Sequence, residues 1–108
     1  MSGTGREPSG GAWAAGGAAD DCEFEVASTQ LRSTVPSVVS KLKKGDVVHI
    51  EVDDDLPAVL VKRGSEAVGS VVDRVPKFVA CSRAGYRYEA EILELDGAAV
   101  TVRTRPRP

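Results

Sequence analysis

The chain has 108 residues, of which 42% are hydrophobic, 28% charged and only 5% aromatic, and its net charge is −2 at pH 7. This length predicts one domain with a modest core built mainly from valine, leucine and isoleucine. No run approaches the roughly 18 consecutive apolar residues that a membrane span requires, so we expect no membrane association. The chain also lacks the cationic start and apolar stretch of a secretory signal, which predicts a cytoplasmic location.

Residues 1–20 differ from the rest of the chain in composition. They hold six of the eleven glycines and a single aromatic side chain, Trp13. Such a segment buries too little apolar surface to offset the entropy lost on ordering, so we predict a disordered Gly/Ala-rich tail. Residues 21–105 are then one small β-barrel domain, and residues 106–108 are a flexible C-terminus.

The first half of the domain shows three elements in succession. Alternating charged and apolar residues predict a strand near 22–30. A proline suited to a first helical turn, followed by valines and a leucine at helical spacing, predicts a short helix near 36–43. Period-2 alternation then predicts a strand over 46–53. The next segment, Ala58–Lys62, is apolar on both faces and predicts a strand inside the sheet.

The second half continues with a strand near 67–72 and a helix over 75–84, whose apolar face carries Phe78. A long strand begins at Tyr86, and its alternation changes phase at Leu93. A period-2 pattern changes phase only through an extra residue, so a bulge or bend is predicted there.

Asp96-Gly97 is a hairpin-turn signal that introduces a last strand over 98–103. The predicted order is β-α-β-β-β-α-β-β. Short antiparallel strands with two short helices indicate a mainly β fold, a small six-stranded barrel of the OB or SH3 type.

Two cysteines, Cys22 and Cys81, are too few for a disulfide framework. For a cytoplasmic chain they are most simply reduced thiols, Cys81 being a small buried group on the second helix. One bridge between them is the alternative.

No motif in the chain indicates catalysis or metal binding. Asp53–Asp55 lacks the alternating ligands and the glycine of a calcium loop and is predicted to be a solvated acidic turn. His49 alternates with apolar neighbours on a strand, and no nucleophile or orienting carboxylate accompanies it in a motif. We therefore predict a non-enzymatic protein with no catalytic residues, no metal and no cofactor.

Charge is distributed unevenly between the halves. Residues 1–55 carry five basic residues against ten carboxylates, whereas residues 56–108 carry nine against six. A basic half orients an anionic partner even when the total charge is near zero. The side chains predicted to frame a nucleic-acid-binding surface are Lys62, Arg63, Arg74, Lys77, Arg87 and Arg103.

Three segments carry a resemblance to a known family: Leu42–Val48 entering a strand, Gly64–Gly69 before a helix, and Gly85 followed by the strand from Tyr86. From Leu42 onward the chain resembles a shortened HIRAN domain, a modified OB-fold module. The resemblance implies a barrel that binds DNA, with preference for single strands or their ends. In place of the family's Asn-Pro-Tyr-Asp-like segment this chain has Val52–Pro57.

Two classes of function follow from these observations. One is a binding module that holds DNA through the basic C-terminal half. The other is a protein-interaction or adaptor module that docks through a sheet edge or its flexible termini, without nucleic acid.

Overall fold

A computed structural model describes residues 22–107, so the predicted tail at 1–20 lies outside the described residues. The elements are β1 (Val26–Gln30), α1 (Pro36–Val39), β2 (Val47–Asp53), β3 (Ala58–Arg63), β4 (Glu66–Val71), α2 (Val75–Arg83), β5 (Tyr88–Asp96) and β6 (Ala99–Pro106). This sequence of strands and helices confirms the predicted order.

All six strands form one sheet in the order β1-β6-β5-β2-β3-β4, and every neighbouring pair is antiparallel. The sheet curls into a half-barrel around a core of valine, isoleucine and aromatic side chains. The predicted mainly β, barrel-like fold is therefore confirmed. β3 lies inside the sheet, as its two apolar faces predict.

The predicted irregularity in the long strand is present. The register of β5 against β6 shifts between Ile92 and Glu94, which leaves Leu93 as the extra residue. Beyond the shift β5 continues its pairing with β6, and before it the strand also pairs with β2. A bulge at this point lets one long strand take part in a curled sheet.

A short backbone bridge joins the two ends of the sheet. Arg32, just after β1, and Ser70 on β4 each donate an N–H to the other's carbonyl, at 2.9 and 2.8 Å. A further bond joins the Val35 N–H to the Val68 carbonyl at 3.0 Å. The bridge pairs backbone groups that would otherwise be free at two sheet edges, and it holds the sheet in its curled form.

Gly69 lies where the bridging segments come closest. A Cβ atom at this position would be 3.1 Å from the Arg32 carbonyl oxygen and 3.2 Å from Leu31 Cβ. Both atoms belong to the bridge itself and move little, so Gly69→Ala is expected to lower the free energy of unfolding by about 1–3 kcal/mol. Urea denaturation measures this loss. A variant as stable as the wild type would mean that the bridge shifts to accommodate the added Cβ atom without loss of stability.

Three aromatic rings form the centre of the core. Phe24, Phe78 and Tyr88 have ring centroids 4.9 to 5.3 Å apart, and Phe78 and Tyr88 are fully buried. The Tyr88 hydroxyl donates to the backbone carbonyl of Cys22. Burial, with a smaller effect of Tyr86, raises the pKa of Tyr88 to about 12, so the hydroxyl stays protonated and continues to donate.

The prediction of two reduced thiols is wrong for this structure. Cys22 and Cys81 form a disulfide, with Cα atoms 5.4 Å apart and both side chains almost fully buried. The segment before β1 lies against α2 because Phe24 packs on Phe78, and this brings together two cysteines separated by 59 residues. Neither local pattern nor spacing in the chain indicates such a contact.

Several element boundaries also differ from the prediction: β1 begins at Val26 rather than near residue 22, and β5 begins at Tyr88 rather than Tyr86. α1 ends at Val39 rather than near residue 43, and the chain continues in single turns, with the Leu42 N–H donating to the Val39 carbonyl. β6 extends to Pro106, beyond the predicted domain end at 105, and the Arg107 N–H donates to the Arg87 carbonyl at 2.8 Å. None of the helices within residues 22–107 has the length and apolar character to cross a membrane.

Candidate nucleic-acid interface

The convex side of the sheet carries three of the six candidate cations. Tyr88, Ala90 and Ile92 of β5 point into the core, so the intervening residues point outward. The same alternation applies to the neighbouring strands. We define the outer sheet face by the cations Lys62, Arg87, Arg103, Arg105 and Arg107 and the carboxylates Glu51, Glu89 and Glu91.

Arginines of β6 and glutamates of β5 form a ladder of ion pairs on this face. Arg103 donates to Glu91 at 2.7 Å, and Arg105 donates to Glu89 at 2.7 Å and to Glu91 at 2.9 Å. The hydrogen bond to Glu89 is the main reason that the pKa of Arg105 is raised above its ordinary value. The ladder neutralises cations that would otherwise be available to an anionic partner.

The bulge at Leu93 determines this pairing. Past the bulge, toward the hairpin, Glu94 lies opposite Thr101, whereas before it Glu91 lies opposite Arg103. If Leu93 were paired rather than bulged, the hairpin register would place it opposite Val102 and would place Glu91 opposite Thr104. Leaving Leu93 unpaired therefore produces the ladder.

Removing the ladder carboxylates is expected to strengthen binding of any polyanion to the outer sheet face. Glu89→Gln with Glu91→Gln keeps the side-chain shapes, removes two negative charges and releases Arg103 and Arg105. If both arginines then reach phosphates, the slope of log affinity against log salt becomes steeper by about 1.4 on a single strand. Fluorescence anisotropy with labelled DNA at several salt concentrations measures this slope. An unchanged slope would show that the ligand lies elsewhere.

A shallow depression of about 320 Å³ opens beside the turn between β3 and β4, and we call it the hairpin depression. Lys62 and Arg63 contribute from β3, and Arg107 contributes from the end of the chain. The one carboxylate in its lining, Glu89, is already paired with Arg105. The full lining is Val47, Val48, His49, Lys62, Arg63, Gly64, Glu89 and Arg107.

The three cations of the hairpin depression differ in how strongly they are paired. Lys62 contacts Glu51 at 2.9 Å, whereas Arg63 has only a long contact of 3.5 Å to the exposed Glu66. Within residues 22–107 no ion pair involves Arg107. Exposed pairs of this kind contribute about 0–1 kcal/mol, so a phosphate can replace the carboxylate.

Arg74 and Lys77 lie apart from this depression, at the start of α2. The Lys77 ammonium is 4.7 Å and the Arg74 guanidinium 6.0 Å from the centre of the Phe24 ring. Arg74 precedes the helix in a left-handed conformation, with φ of 56°. These two cations form an aromatic contact that is separate from the outer sheet face.

Arg87 lines a second depression of about 190 Å³ between β2 and the end of α2. Glu51 and the half-buried Tyr86 lie in the same lining. The second depression is adjacent to the hairpin depression along β2, because His49 lines one and Glu51 lines the other. Two residues of a strand span about 7 Å.

The six predicted cations thus fall into separate groups. Lys62 and Arg63 meet in the hairpin depression, and Arg87 and Arg103 lie elsewhere on the outer sheet face. Arg74 and Lys77 lie on Phe24. Prediction from the sequence missed Arg107 as a member of the site. Its signal was the spacing by two of Arg103, Arg105 and Arg107, which places the first two on one face of β6 and continues the same alternation to Arg107, just after the strand.

The acidic turn after β2 has a structural role. Asp53 Oδ1 accepts the backbone N–H groups of Asp55 and Leu56, at 2.9 and 3.3 Å, and so closes the turn. Asp54 contacts Arg83 of α2 at 3.1 Å. Within residues 22–107 no group of three or more potential ligands is arranged to hold a metal ion.

Comparison with known proteins finds a similar fold but no matching family. No protein-family model matches the chain, and no curated protein matches it. A crystal structure of a protein from Lactobacillus plantarum, from a structural genomics programme, is similar with a TM-score of 0.61 and 14% sequence identity. The match covers 79% of this chain and 96% of that chain, so both proteins share the half-barrel architecture.

Proposed function

We propose that this chain is a non-enzymatic binding module that holds DNA, as single strands or strand ends, on its outer sheet face. The observation that carries the proposal is the hairpin depression, where Lys62, Arg63 and Arg107 converge from separate parts of the chain. Phosphate contacts of this kind supply most of the affinity in sequence-independent binding. The HIRAN resemblance points to the same class of ligand.

The neighbouring second depression favours an unpaired strand. Small barrels bind single strands by combining a cationic path for phosphates with aromatic rings on which bases stack. Here Lys62 of the hairpin depression contacts Glu51, and Glu51 lines the second depression together with the half-buried Tyr86. A duplex keeps its bases stacked inside the double helix, so only its phosphates can contact this surface, through the cations.

Titration with labelled DNA at two salt concentrations tests the proposal. With three phosphates in contact, log affinity should fall against log salt with a slope of about −2.1 on a single strand. The single strand should also bind more tightly than its duplex at about 50 mM salt, because only the single strand offers bases to Tyr86. Absence of binding to either DNA at this salt would contradict the proposal.

In that event the alternative is a protein-interaction module. β1 and β4 are the edge strands of the sheet. The bridge between Arg32 and Ser70 connects them, and the register of β1 is irregular between Val26 and Thr29. Both features shorten the edge that could accept a partner strand. The sheet edge therefore receives less support than the cationic depression.

A further inference from the structure

The residues before β1 form a strap across α2, which we define as residues 22–25. None of the named strands or helices includes these residues. Its attachments are the disulfide from Cys22 to Cys81, the Phe24 ring, and the Cys22 carbonyl that accepts from Tyr88. Segments without a backbone ladder open locally at lower free energy than the sheet they cover.

The strap covers an aromatic surface. The Phe24 ring lies 4.9 Å from the Phe78 ring and 5.3 Å from the Tyr88 ring, centre to centre. The cations of Arg74 and Lys77 also approach Phe24. Moving the strap away would expose two large rings beside two cations that have lost their aromatic neighbour.

We propose that the disulfide is a reversible latch, which holds the strap closed when oxidised and lets it open when reduced by a dithiol. A thiolate of the dithiol attacks one sulfur of the bridge and forms a mixed disulfide, which breaks the bond between the two cysteines. The second thiol of the reductant then displaces the remaining cysteine. The reductant leaves as its own disulfide, and Cys22 and Cys81 each end as a thiol.

The burial of the bridge is consistent with this order of events. Cys22 is 4% and Cys81 3% exposed, so the reductant reaches a sulfur only after local opening. The strap lies outside the named strands and continues into β1. Cys81 remains fixed on α2, so Cys22 can return to it when an oxidant is present.

This latch does not depend on the proposed binding of DNA, and binding of the dye 8-anilinonaphthalene-1-sulfonate to the full chain tests it directly, because this dye binds exposed apolar surface. Dithiothreitol should raise the dye fluorescence at least about twofold, since an open strap uncovers the Phe78 and Tyr88 rings. The amides of Val61 and Val102, inside the sheet, should stay protected from hydrogen exchange. Removing the reductant and adding oxidised glutathione should return the dye fluorescence to its starting value.

A matched control is the double variant Cys22→Ser with Cys81→Ser, which should bind the dye with or without reductant. Two results would overturn the latch. Unchanged dye fluorescence after complete reduction would mean that Phe24 alone holds the strap. Parallel loss of protection at Val61 and Val102 would mean that the disulfide stabilises the whole domain and controls no separate segment.

Discussion

Replacing Phe78 by alanine is expected to lower the free energy of unfolding by about 3–5 kcal/mol. The ring is fully buried and makes edge contacts with both Phe24 and Tyr88. Its loss leaves a cavity between α2 and the sheet that neither neighbour can fill. Because a domain of this size has a total stability of about 5–10 kcal/mol, much of the variant should be unfolded at 37 °C.

Urea denaturation followed by circular dichroism measures this loss. Leu56→Ala serves as the control, because it also removes a large apolar side chain, but from a turn where 70% of the residue is exposed. That variant should lie within about 0.5 kcal/mol of the wild type. If both substitutions had the same small effect, the three-ring cluster would not be the centre of the core.

Replacing Arg63 and Arg107 together by alanine is expected to weaken binding of single-stranded DNA by about 25-fold at 0.1 M salt. Each phosphate contact on a single strand contributes about 0.7 to the slope of log affinity against log salt, so losing two contacts flattens the slope by about 1.4. Both side chains line the hairpin depression, and neither has a close carboxylate partner in the described residues.

The control for this measurement removes the same charge from another part of the surface. Lys43 and Lys44 are exposed residues between α1 and β2, and neither lines the hairpin depression. Lys43→Ala with Lys44→Ala should therefore retain most of the affinity and the slope. Equal weakening by both double variants would mean that net charge, and not the hairpin depression, determines binding.

Local patterns predict the architecture because each element satisfies its own periodicity. The alternation that begins at Tyr86 can bury one face only as a strand, and the phase change at Leu93 requires an extra residue wherever that strand pairs. Phe78 lies on the apolar stripe of a short helix, so its burial against the sheet follows from the same kind of pattern.

The candidate site is less predictable because it depends on contacts between distant segments. The sequence indicates a basic C-terminal half, but not that Glu91 neutralises Arg103 or that Arg107 lies beside Arg63. The first contact depends on the bulge, and the second on the path of the chain after β6. The disulfide between Cys22 and Cys81 depends in the same way on the path of the strap.

The pairing of β1 with β6 has a consequence for how the chain folds as it is made. Val26 lies opposite Thr104, so β1, the first strand of the described residues, finds its partner only when nearly all of residues 22–107 have emerged. At about 5–20 residues per second, β1 waits several seconds with its edge unpaired. The hairpin of β3 and β4 forms from neighbouring residues in the meantime. Final assembly of the sheet therefore comes only after β6 has been made, and a nascent chain truncated before β6 is the form most exposed to aggregation.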